Sequence, residues 1–105
     1  VRGFMGVVNI ADVPEKDRFE ARDDDGTLLG VITYQLTGNV IAYTHTKVEP
    51  DHEHQGIGSD LARAAMEDAQ SKGRLVVPIC PFLSAWLDEH HDYDQIVARQ
   101  HRRVK

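Results

Sequence analysis

Residues 48–61 read VEPDHEHQGIGSDL, and the periodicity of the chain changes there. Before this stretch apolar residues alternate, as on half-buried strands; after it they recur every three or four residues, as on an amphipathic helix. A helix leaves its first amides without intrahelical acceptors, and Ser, Thr, Asp or Asn ordinarily caps them. The run His52-Glu53-His54-Gln55-Gly56 offers none of these types. Asp51 could cap only a helix that began at His52. Gly56 and Gly58 would then lie inside it, each costing about 1 kcal/mol relative to alanine. A start near Gly56 avoids that cost and leaves amides free for an anion, which glycine lets approach without Cβ interference. Ser59 adds a hydroxyl.

Upstream, Arg18–Arg22 (RFEAR) reads as a strand running into Asp23-Asp24-Asp25-Gly26, whose Asp-Gly pair signals a hairpin turn. TLLGVITYQL follows, with Leu28, Ile32, Tyr34 and Leu36 on one face. Thr37-Gly38-Asn39 turns the chain into Val40–Val48, rich in β-formers, which completes a three-stranded antiparallel meander. Downstream, Ile57, Leu61, Ala65 and Ala69 form a helical stripe with Met66 beside it, and Gly73 stands as its C′ residue. Leu75–Cys80 (LVVPIC) is apolar on both faces and reads as an internal strand. Pro81 then opens a second helix over FLSAWLDEH. The order β-β-β-α-β-α predicts an α/β sandwich. Its last strand runs parallel to the strand before the helix, because a helical crossover joins them.

The length of 105 residues suits one domain spanning 1–105. A net charge of −5 argues against a nucleic-acid partner, which calls for a basic patch to displace counterions. No apolar run approaches the roughly 20 residues of a membrane span, and no secretory segment opens the chain. Cys80 is the only cysteine, so no internal disulfide can form and a reducing, cytoplasmic setting is expected. His52, Glu53 and His54 have ligand chemistry. Their i, i+2 histidine spacing and the lack of a second ligand cluster predict no metal site.

The anion that suits the glycine loop is narrowed by what the loop lacks. Leu61 stands where a dinucleotide fingerprint needs its third glycine, and the lysine of a Walker loop is missing. VEPDHEHQGIGSDLARAAMEDAQSKG instead resembles the acyl-CoA pyrophosphate loop and following helix of the GNAT superfamily of N-acetyltransferases, Val-x-Pro-x-x-Arg-Gly-x-Gly-x-Gly/Ala. Val48, Pro50, Gln55, Gly56, Ile57 and Gly58 carry that match. VVPICPFLSAWLDEHHDY is similar to the corresponding segment of a small stand-alone branch, with motifs His-Thr-x-Val-x-Pro, Pro-x-Cys-Pro-Phe and His-x-x-Tyr. His45, Thr46, Val48, Cys80, Pro81, Phe82, His90 and Tyr93 fit it, and the resemblance spans Arg18 to Val97. It implies a GNAT-like mixed sheet: an antiparallel meander, then a β-α-β-α unit with a splayed parallel strand pair. It further implies acetyl-CoA as co-substrate, held by Val48, His54, Gln55, Gly56, Ile57, Gly58 and Ser59. The acetyl acceptor would be an amine, a protein lysine or a small molecule, which the sequence does not identify. Two departures bear on affinity. Glu53 stands where the superfamily commonly has arginine, and His54 replaces a glycine, so a cation is lost and a carboxylate gained beside the diphosphate.

Acetyl transfer needs a deprotonated amine, a polarised thioester carbonyl and an acid for the leaving thiolate. Larger members of the superfamily often supply that acid as a tyrosine in the helix after the last core strand; SAWLDEH has none. Tyr93 could serve only if the chain folds back. Cys80 is expected between an apolar strand and a helix N-terminus, where amide dipoles point at the sulfur. The resemblance implies that it lies beside the acetyl group as nucleophile or carrier. Read alone, it is better taken as a small buried hydrophobe, as most free cysteines are. His45, in phase with Ile41 and Tyr43 on a regular strand, is a base, a group that orients the cysteine, or a hydrogen-bonded strand residue. Pro78 cannot donate to a ladder, so pairing must fail there on one side; the resemblance implies that the pantetheine arm fills that gap. The competing expectation is a CoA- or acyl-CoA-binding module with little catalysis.

Overall fold

The computed structural model of the protein describes residues 8–52 and 56–98. Its meander has four strands rather than three: β1 (Asn9–Val13), β2 (Arg18–Arg22), β3 (Leu28–Thr37) and β4 (Val40–Val48), each antiparallel to the one before. β5 (Leu75–Pro78) joins β4 in parallel, so the sheet runs β1-β2-β3-β4-β5. α1 (Ile57–Ser71) makes the crossover and α2 (Pro81–Glu89) follows β5. β1 escapes the pattern because its sequence, NIADV, carries Asn and Asp and runs into Pro14.

Both hairpin turns form where their residues predict. Asp23 Oδ1 accepts from the amides of Asp25 and Thr27 at 2.9 and 3.0 Å, closing the turn before Gly26. Gly38 and Asn39 link Thr37 to Val40, which are paired across β3 and β4. The face assigned to β3 needs a correction. Ala21 pairs with Gly30 and Arg22 with Leu28, so Leu29 is an extra, bulged residue. The slip sends Leu29 into the core and leaves Leu28 only half-buried; Leu36, at the far end, is exposed. Ile32 and Tyr34 do lie in the core.

α1 buries the stripe Ile57, Leu61, Ala65 and Ala69 with Met66 and Ala62, against Phe19, Ile32, Tyr34, Ile41 and Tyr43 of the sheet. The Tyr43 hydroxyl, fully buried, donates to the carbonyl of Ala65 at 2.8 Å. At the C-terminus of α1 the amides of Gly73 and Arg74 return to Gln70 and Ala69, the double closure of a Schellman motif. β5 stops at Pro78, two residues before the predicted end. Its outer edge is covered at Val76, which bridges Val97 and accepts from the amide of Ala98 at 2.8 Å.

Both helices lie on one face of the sheet, since α2 reaches α1 through Trp86 and shares its core. On the other face Glu20 is nonetheless only 6% exposed, because two arginines fold over it. Arg18 Nε donates to Oε2 at 2.8 Å, and Arg22 donates to Oε1 through Nε at 3.1 Å and Nη2 at 2.9 Å. The Arg18 hydrogen bond, helped by Arg22 and opposed by desolvation, holds the Glu20 carboxyl below its ordinary value of 4.5. A carboxylate depressed in the folded state stabilises above its unfolded pKa, and that contribution is lost as pH falls through the folded value. Denaturant midpoints should therefore fall as pH drops below about 4.5. Glu20→Gln should flatten that part of the profile relative to wild type; parallel acid limbs in the two proteins would assign the loss to other carboxylates.

Candidate functional site

Three features converge at the C-terminal end of β4. The first is the start of α1. Gly56 occupies the N-cap position at φ +78°, a left-handed conformation that favours glycine, and no side chain caps the helix. The amide of Asp60 bonds to Gly56 O at 3.0 Å, so those of Ile57, Gly58 and Ser59 lie ahead of the helical ladder, as predicted. Among the residues expected to hold a diphosphate, Ile57 has its side chain in the core and Val48 packs partly buried against it. His54 and Gln55 fall outside the described residues. The Ser59 oxygen accepts from the Trp86 indole at 2.9 Å and keeps its own proton to donate.

Gly58 has a second constraint that its spacing does not reveal. A Cβ there would stand 2.9 Å from Cζ of Phe82, so that ring covers the first turn of α1. Phe82 is 43% exposed, a large apolar side chain left partly in solvent beside the free amides.

The second feature is the parting of β4 from β5. They pair from Val40 with Leu75 to Tyr43 with Pro78 and no further. Pro78 brings no amide to the ladder, and the next two amides, of Ile79 and Cys80, both turn onto the carbonyl of Tyr43, at 3.1 and 2.9 Å. Beyond Tyr43, β4 pairs only with β3, through residues 45–48. The resulting gap is bordered by β4 on one side and by Ile79 and Cys80 on the other. It opens toward α1, which follows β4 in the chain. Ile79 is 57% exposed at its rim.

The third feature is Cys80, 3% exposed and the N-cap of α2, whose sulfur lies 3.1 Å from Thr46 Oγ1. A bulge brings Thr46 there. Thr33 pairs with His45 while Tyr34 pairs with Tyr43, which leaves Thr44 without a partner on β3. The extra residue inverts the alternation: Ile41, Tyr43 and Thr46 share the core face, and Thr44 and His45 point to the other. His45 is thus out of phase with Ile41 and Tyr43, contrary to the regular pattern, and is exposed on the helix-free face. The two candidate catalytic residues flank the parting from opposite sides of β4.

Tyr93 does fold back, but onto α1. Its hydroxyl donates to Glu67 Oε2 at 3.1 Å and accepts from Arg63 Nη1 at 3.3 Å, and its ring stacks on Trp86. Burial, then Glu67, pushes its pKa up. His90 stacks on the same indole with ring centroids 3.9 Å apart. His90 and Tyr93 thus both pack on Trp86, which in turn bonds Ser59 on the first turn of α1. Thr46, Phe82 and Trp86 are the site residues that spacing alone did not single out as functional. Among the described residues, no group of three or more His, Cys, Asp or Glu is placed to hold a metal.

Comparison with known proteins bears on this geometry. A family model described as GCN5-related N-acetyl-transferase matches residues 18–96. No curated protein matches the chain. A GCN5-like protein from Staphylococcus aureus, solved by NMR, superposes with a TM-score of 0.69 at 26% identity, covering 90% of this chain and 93% of that one. A ribosomal-protein-alanine N-acetyltransferase from Brucella melitensis gives 0.56 at 22% identity, over 84% of this chain and 67% of the other. A GNAT family N-acetyltransferase from Escherichia coli in complex with CoA gives 0.54 at 14% identity, over 70% and 61%. With the latter two the similarity is one of fold.

Proposed function

The chain belongs to the GCN5-related N-acetyltransferase family, and from that membership we propose that it transfers the acetyl group of acetyl-CoA to an amine. The observation that carries the reading is the parting of β4 and β5 beside an uncapped helix start. A diphosphate fits the amides of Ile57, Gly58 and Ser59, which point outward with the positive end of the α1 dipole behind them. The unpaired edge of β4 offers backbone groups to an amide-bearing arm, which can add to it as a strand would. Bound there, the co-substrate supplies an activated acyl carbon in the gap.

Cys80 and Thr46 line the core side of that gap and His45 the solvent side. In the proposed sequence the Cys80 sulfur attacks the acyl carbon, an S–C bond forms, and the bond from that carbon to the CoA sulfur breaks. The Cys80 proton leaves with the CoA thiol, relayed through Thr46 Oγ1. The amine then attacks the acetyl-cysteine, an N–C bond forms, and the sulfur departs. His45 takes the proton of the amine and releases it to solvent, and the departing Cys80 thiolate takes a proton back from solvent. No tyrosine acid is called for, since Tyr93 is engaged on α1.

The second reading, a CoA-binding module, draws support from the near-complete burial of Cys80. Calorimetry with CoA and acetyl-CoA, followed by intact mass measurement after incubation with acetyl-CoA, separates the two. Transfer predicts saturable binding and a single acetyl adduct on Cys80 that an added amine discharges. Binding with neither adduct nor CoA release would leave the module, and no binding would sink both.

A further inference from the structure

We propose that the acceptor amine carries an anionic group, a carboxylate or phosphate, held on the helix-free face of the sheet by Arg18 and Lys47; the inference rests on the acetyl-transfer reading above. The core side of the gap is closed to an acceptor. Cys80, Val76 and Leu83 are buried there, with α1 and α2 behind them. A soluble amine reaches the parting only from the other face, where His45 is exposed. What lies around His45 on that face therefore selects the acceptor.

Register fixes those neighbours. One row across the strands runs Arg18, Thr33, His45, and the next runs Glu20, Val31, Lys47. Adjacent strands lie about 4.8 Å apart, which puts the Arg18 backbone roughly 10 Å from that of His45. Lys47, two residues along the same strand, is nearer. The charge here opposes that of the chain. Against a net −5 overall, these rows and the neighbouring Arg22 set three basic side chains against the single carboxylate of Glu20. Glu20 neutralises one of them and fixes both guanidiniums in place, so they are oriented before a ligand arrives. Arg18 Nη1 and Lys47 Nζ have no partner among the described residues. Between the charges lie uncharged residues, Val31 and Thr33 of β3 and Thr44 of β4, the two threonine hydroxyls bonding each other at 2.8 Å.

An oriented guanidinium about 10 Å from the His45 backbone and a nearer ammonium suit a zwitterionic acceptor. Its amine enters beside His45 and its anion spans toward Lys47 and Arg18. A polyamine would meet repulsion on the same path.

The test uses three amines of matched length: δ-aminovalerate, its amide, and cadaverine. With acetyl-CoA as donor and CoA release as readout, aminovalerate should exceed the amide in kcat/KM by about tenfold, the worth of one charge-assisted contact, and cadaverine should be poorest. Lys47→Gln should bring the acid-to-amide ratio toward one. Arg18→Gln should act likewise, but it leaves Glu20 under-compensated, so the exposed Lys47 carries the test if that variant fails to fold. Equal rates for acid and amide, or a preference for cadaverine, would overturn the proposal. So would weaker CoA binding by Lys47→Gln, which would give Lys47 to a CoA phosphate. If none of the three is acetylated, backbone amide shifts of Thr33, His45 and Lys47 on titration with aminovalerate and its amide still decide. Shifts with the acid alone support the site; none, or equal ones, reject it. Loss of CoA binding altogether strikes the transfer reading and leaves that titration standing.

Discussion

Cys80→Ala should lower acetyl transfer by on the order of a hundredfold or more while leaving CoA affinity nearly intact. The two quantities separate because the residues involved separate. The amides assigned to the diphosphate belong to α1, and the sulfur sits at the N-cap of α2 against Thr46 Oγ1. Alanine removes the nucleophile without adding volume to a buried position. Intact mass should show no acetyl adduct on the variant. Cys80→Ser keeps the size but presents an alcohol, a far weaker nucleophile at neutral pH, and should fall close to alanine in rate. Thr46→Val tests the relay: it keeps the shape of the side chain and removes the hydroxyl 3.1 Å from the sulfur. It should lower kcat and leave KM for acetyl-CoA near wild type. Full transfer by both the Ala and Ser variants would make Cys80 a packing residue, and direct attack of the amine on the thioester would become the mechanism.

The bulge at Thr44 shows where sequence reading stops. From Arg18 onward the order of elements follows from period changes, turn residues and the uncapped helix start, and each of those signals is local. So does the gap, since Pro78 announces a failed pairing and the resemblance says which neighbour is lost. What a single extra residue does to phase is not local. Leu29 and Thr44 look like ordinary strand residues, yet each inverts the faces of everything on one side of it. Regular alternation therefore put His45 with Tyr43, where the sheet puts Thr46. Contacts across many residues were out of reach for the same reason: Thr46 meets Cys80 over a separation of 34, and Trp86 meets Ser59 over 27. The His-x-x-Tyr spacing of His90 and Tyr93 was visible through the resemblance, but its use, the packing of both rings on Trp86, is a tertiary fact.

Gly56→Val and Gly58→Val should each weaken CoA binding tenfold or more, about 1.4 kcal/mol per decade, for different reasons. At Gly56 there is open space for a side chain, but the backbone stands at φ +78°. A β-branched residue is strained there and moves toward negative φ, which turns the amides of the first turn away from a common point. At Gly58 the backbone is ordinary and space is the constraint, because a Cβ would meet Phe82 Cζ at 2.9 Å. That atom is the far end of a partly exposed ring, free to swing outward. The fold should therefore tolerate the change, and the loss should appear in the ligand. The same contact supplies the control. If glycine at 58 only makes room for the ring, Phe82→Ala should restore CoA affinity to Gly58→Ala. If it lets a diphosphate approach the amides, the defect should persist in the double variant, and this is the expected result. Unchanged affinity in a folded Gly56→Val protein would remove the helix start from the binding site, whatever Phe82 does.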